Sequence, residues 1–192
     1  QYGWPSHECM TLLFELIVGH LWRLHSFLLF CRMFCCIEYT AFLWKAKGRH
    51  GTHSPFAYWL VDVVGRLKTQ KEGSFIQQIK SKKTRLFVTK LCQALTEHQL
   101  FVYELPDQKS SKPCICIIGP EQLPNFEQVI QHQFIHPASI FILLEPHAKA
   151  NQHYWQNLYA AQTFHFTADC YFFGLLSPRP GQAKEHFYLK LG

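Results

Sequence analysis

Methionine is scarce in this chain, and most patterns that would settle a function outright are missing. The only methionines are Met10 and Met33 and the chain opens on Gln1, so residues before one of these two are expected to be upstream sequence outside a natural product. No run of about 18 uncharged apolar residues exists, which argues against a membrane span. The very apolar stretch Gln1 to Trp44 is interrupted by Glu15, Arg23, Arg32 and Glu38. It also lacks the charged start, short apolar middle and small-residue cleavage site of a signal peptide. None of the 12 histidines forms the helical His-Glu-x-x-His arrangement of a metalloenzyme. There is no internal repeat and no low-complexity segment.

Acidic residues are the minority, 13 against 19 Lys and Arg, and the resulting net charge of +6 favours an anionic partner without identifying one. The basic residues are scattered apart from Lys80, Lys82, Lys83 and Arg85, a grouping that reads as a solvated face. Nucleic acid is therefore not expected as a partner. The eight cysteines do not form a disulfide framework. Cys114 and Cys116 alternate with isoleucines, where a free thiol behaves as a small hydrophobe. Cys31, Cys35 and Cys36 lack a spaced second pair of ligands, so no metal centre is expected. Free thiols point to a reduced, cytoplasmic setting.

What is present begins with a helix over Leu12 to Leu43. An apolar helix of that length needs cover from the domain, a partner or a membrane surface, so residues 12–44 are the candidate region for self-association or membrane-surface contact. The chain thus divides into an apolar helical extension, 1–44, and a domain, 45–192. Within the domain, Pro113 to His147 reads as strand, helix, strand. Cys114 to Ile118 is a continuous apolar run stopped by Gly119 and Pro120. Phe126, Val129, Ile130 and Phe134 recur at helical spacing, and a second apolar run covers Ala138 to Leu144. Two such strands joined by an amphipathic helix predict a βαβ crossover in a parallel sheet.

The segment Lys45 to Phe56 carries two glycines and a proline, so it reads as a loop. Ser54 and Pro55 are the N-cap and first residue of a helix that places Phe56, Leu60, Val63 and Leu67 on one face and ends near Gly65 to Lys68. Arg49, His50 and His53 could hold an anion at that helix start, or could be a polar loop fixing the approach of the N-terminal helix. At the far end, Ala150 to Ala161 reads as a helix with Tyr154, Leu158 and Ala161 inward and Trp155 beside them. Phe164 to Leu176 and His186 to Leu191 read as an antiparallel hairpin with a long turn.

The run Lys45-Ala46-Lys47-Gly48-Arg49-His50-Gly51-Thr52-His53-Ser54-Pro55-Phe56 resembles the opening of a bacterial family of class I S-adenosylmethionine-dependent methyltransferase-like proteins. Asp169 to Leu175 and Gln182 to Phe187 resemble the same family's end, and the likeness covers roughly Met33 to Gly192. It implies a Rossmann-like α/β fold in which Leu86 to Leu91 is the helix before the first strand and Leu100 to Leu105 is that strand. It equates the Cys114 strand with the family's fourth. By position it implies cofactor contacts at Glu104, Gly119, Glu145 and His147, and it assigns no catalytic residue.

The chain departs from the family where the chemistry lies. Such enzymes hold the cofactor in a Gly-rich turn after the first strand, and here Pro106-Asp107-Gln108-Lys109-Ser110 stands in its place. No second or third strand follows. Ile118 precedes Gly119 where the resemblance expects an Asp, and Leu144-Glu145-Pro146-His147 replaces Asp-Asp-x-His. Asp107 to Lys112 is too short for a parallel crossover, so the Leu100 and Cys114 strands are expected to pair antiparallel or not to be neighbours. Glu104 would then face no pocket with Gly119 and Glu145, and Glu104→Ala should have little effect on any ligand.

The expectation is a reduced Rossmann-like mixed sheet with a C-terminal antiparallel hairpin, belonging to a methyltransferase-like protein that has lost its S-adenosylmethionine site. An active S-adenosylmethionine-dependent methyltransferase is the alternative. A non-enzymatic interaction protein anchored through its apolar N-terminal helix is a second.

Overall fold

The computed structural model describes residues 36–46, 54–68, 74–104, 112–132 and 136–190. By its internal contacts the chain divides into two units, Gln1–Trp44 and Lys45–Gly192. Of the span Leu12 to Leu43 predicted as helix, residues 12–35 lie outside the described residues, and a helix runs over 36–45. So do Cys31, Cys35, Arg49, His50 and His53. Among the described residues, no helix is long and apolar enough to cross a membrane.

In the second unit, α1 (Pro55–Arg66) starts at the predicted Ser54-Pro55 pair, where proline's fixed φ suits the first helical turn. It buries Phe56, Ala57, Leu60 and Val64. Val64 therefore takes the inward place predicted for Val63, because i, i+4, i+8 from Phe56 continues one stripe. A 3-10 turn, Ser74–Gln78, leads to α2 (Lys82–Ala94), whose N-cap Ser81 hydroxyl accepts from the Thr84 amide at 3.3 Å. Lys80, Lys82 and Lys83 are exposed, as expected of a solvated face. Arg85 instead donates to the Ile79 carbonyl at 2.7 Å.

Six strands follow with two more helices between them: β1 (Gln99–Val102), β2 (Cys114–Ile118), α3 (Leu123–His132), β3 (Ile140–Leu144), α4 (Gln152–Ala160), β4 (Phe166–Asp169), β5 (Phe173–Ser177) and β6 (Glu185–Tyr188). They form one mixed sheet in the order β1-β2-β3-β5-β4-β6. The α/β class and the parallel β2–α3–β3 unit agree with the sequence reading. Strand alternation sorts the core into two layers. Ile115, Ile117, Ile140 and Ile142 pack with α1 and α2 on one face. Cys114, Cys116, Ile118, Phe141 and Leu143 pack with α3 and α4 on the other.

Two expectations are overturned. β1 and β2 are parallel neighbours, with Gln99 opposite Cys114 and Val102 opposite Ile117. The strand ends at Val102 rather than Leu105, which leaves residues 103–113 for the return. Those residues could reach roughly 35 Å if extended, against about 13 Å for a four-residue strand. A helix is not needed to cover that distance.

The C-terminal hairpin also joins different strands. The apolar run Phe164 to Leu176 is broken into β4 and β5, which pair antiparallel, and β6 lies parallel to β4. The break occurs at Tyr171, held at φ 66°, where the Asp169 carboxylate accepts its amide at 2.8 Å. An Asp side chain caps its own turn in this way without any Gly or Pro. The described cysteines are all free. Cys114 and Cys116 share a face, and the Cys116 thiol donates to the Cys114 sulfur at 3.3 Å.

Candidate functional site

Because β1, β2 and β3 run parallel, their carboxyl ends lie side by side, the usual place for a ligand in an open α/β sheet. A cavity of about 410 Å³ opens there, within the range of small-molecule sites. Tyr103 enters it from the end of β1, Gly119 from the end of β2, and Leu144 and Glu145 from the end of β3. Gln78, Lys80, Glu121 and Gln122 complete its polar lining.

Two of these positions are held in the left-handed region, Tyr103 at φ 59° and Glu145 at φ 53°. For residues other than glycine this costs of order 1–3 kcal/mol each, and it persists only where surrounding contacts fix it. The Tyr103 amide donates to the Ile117 carbonyl at 2.9 Å. The Glu145 carbonyl accepts from the Asn151 side-chain amide at 3.0 Å and from the Ala148 amide at 3.1 Å. Burial first, and the Glu145 carboxylate second, push the Tyr103 phenol above its ordinary pKa. The phenol is thus a hydrogen-bond donor at neutral pH.

Gly119 is where the cleft is tightest. A Cβ built there would lie 2.9 Å from two Tyr103 ring carbons and 2.7 Å from the Gln122 side-chain oxygen. That oxygen also accepts the Gly119 amide at 3.0 Å. The room that a glycine leaves at the end of β2 is occupied by the protein's own tyrosine and glutamine.

Of the four residues expected at a cofactor site, Gly119 and Glu145 meet in this cleft. Glu104 is exposed just beyond Tyr103 and outside the lining, so the antiparallel geometry that was to separate it from the cleft is wrong although it does not line the cavity. His147 is also outside the lining. Its Nε2 lies 2.8 Å and 3.0 Å from the two carboxylate oxygens of Asp169, and its ring stacks on Tyr171 at 5.1 Å between centroids. Asp169 is 2% exposed, so this pair, with the Tyr171 amide, satisfies a carboxylate buried at the end of β4.

Sequence reasoning missed Tyr103 and the His147–Asp169 pair. Tyr103 sits in an apolar run and looked like one more strand residue, and Asp169 is distant from His147 in sequence. Among the described residues, the lining holds no Ser, Cys or His. The polar groups it does present are the Tyr103 phenol, the Lys80 ammonium, the Glu121 and Glu145 carboxylates and the Gln78 and Gln122 amides. No known protein family, characterised protein or solved structure matches the chain.

Proposed function

We propose that the chain is a reduced class I methyltransferase-like protein that no longer uses S-adenosylmethionine. The observation that carries this reading is the Tyr103 ring seated against Gly119, in the place where a glycine would let a cofactor approach the backbone. The sheet supports the ancestry. The doubly wound order 3-2-1-4-5, with its third and second strands removed, leaves 1-4-5, and β1-β2-β3 are parallel neighbours in that order. Calorimetric titration of the full chain with S-adenosylmethionine is expected to give no saturable heat, and a clear saturable signal would reject the proposal.

A second reading, an active methyltransferase of unassigned acceptor, is favoured by one specific observation. Three parallel strand ends do converge on a single cavity with Glu145 in its wall. If wild-type protein binds the cofactor, that reading takes first place. If only Tyr103→Ala binds it, the tyrosine is the block and the first reading stands.

A further inference from the structure

The opposite, amino edge of the sheet carries a second cavity of about 310 Å³, lined by Pro55, Phe56, Trp59, Leu95, Arg179 and Gln182. Its walls are apolar except at Arg179 and Gln182. Phe56 and Trp59, three residues apart on α1, stack at 5.6 Å with an interplanar angle of 12°. The Arg179 guanidinium lies over the Phe56 ring, its central carbon 3.2 Å from the centroid. The Arg179 backbone is in the left-handed region, φ 37°, and its amide donates to the Pro137 carbonyl at 3.2 Å.

This cation has no counter-charge among the described residues. Among the described residues it makes no side-chain hydrogen bond or ion pair, and its Nε is buried without a partner. Burial lowers its pKa, with no neighbouring acid to offset the effect. Arg179 is half-buried with only its Nε shielded from water, and a guanidinium stacked on an aromatic face still presents donors in its plane, a fork that fits a carboxylate. With Nε shielded, the two Nη groups are what remains for a ligand.

We propose that this cavity binds a small aromatic monocarboxylate, its carboxylate on the Nη edge of Arg179 and its ring against Trp59 and Leu95. A phosphate fits less well, since one guanidinium and one amide cannot replace the hydration of a dianion against apolar walls. The site is separate from the cleft at the carboxyl edge and independent of what that cleft binds.

The test is titration of the full chain with phenylacetate, followed by ligand-observed NMR and by Trp59 fluorescence against a Trp59→Phe control. Saturable binding is expected. The neutral analogue phenylacetamide should bind roughly tenfold or more weakly, as for loss of a charge-assisted hydrogen bond. Arg179→Lys should weaken phenylacetate, and Arg179→Met should abolish its binding. If the Met variant does not fold, the comparison of acid and amide on the wild-type chain decides. Equal binding of the amide, no saturable binding of the acid, or displacement by inorganic phosphate at similar concentration would each overturn the proposal.

Discussion

His186, on the edge strand β6, is placed where a positive charge is unfavourable. Its ring lies among Trp155, Tyr159 and Tyr188, and its Nδ1 shares a 2.8 Å hydrogen bond with the Thr167 hydroxyl. Burial lowers its pKa below 6.5, nearby Asp169 opposes this, and Lys184 adds to it. A base whose pKa is depressed by folding binds its proton more readily in the unfolded chain. The stability it contributes is therefore complete above about pH 6.5 and declines as pH falls toward the lower folded value. The urea midpoint of the wild-type chain should drop between pH 7.5 and pH 5.5, and His186→Phe should lessen that drop. An undiminished drop in the variant would assign the effect to another group.

The packing of α4 on β5 shows how a whole element can be positioned by the absence of one side chain. Trp155, 4% exposed, lies flat on Gly174, and a Cβ there would meet its ring carbons at 2.5, 2.7 and 2.9 Å. Glycine inside a strand usually weakens it, but here it admits the indole of the covering helix. Gly174→Ala is expected to destabilise by about 1–3 kcal/mol through overpacking. Trp155→Ala should cost about 3–5 kcal/mol as a large-to-small core change. Because the clash requires the indole, Gly174→Ala should cost much less in the Trp155→Ala background. Denaturant unfolding of the four proteins measures this coupling, and simple additivity would mean that α4 is held in place by other contacts.

At the scale of the molecule, the second unit contains both of its core layers. Every described residue of the two hydrophobic clusters lies between Phe56 and Leu189, within Lys45–Gly192. A unit with its own core is expected to fold by itself. Lys45–Gly192 expressed alone should unfold in one cooperative transition, with fluorescence and circular dichroism giving the same midpoint. Aggregation, or probes that disagree, would show that residues 1–44 are required by this core.

What the sequence by itself determined was local. Cys114 to Ile118 and Ala138 to Leu144 were legible as buried strands because the runs are apolar but for Ser139, the second strand forming over Ile140–Leu144, and α1 because Ser54-Pro55 opens a 3.6-residue stripe. The tertiary structure decided how those pieces pair. Parallel and antiparallel neighbours show the same period of two, so the pattern of Leu100 to Leu105 could not reveal the direction of β1. Nor could it show that the strand stops at Val102, since Tyr103 and Leu105 continue the apolar pattern although Tyr103 is already left-handed. The break at Tyr171 was hidden for the same reason: the turn is made by a buried Asp side chain and aromatic residues instead of Gly or Pro. The candidate cleft exists only once three strand ends from separate parts of the chain are side by side. Only then does Tyr103 meet Gly119, because contact across a sheet depends on register, which no local spacing encodes.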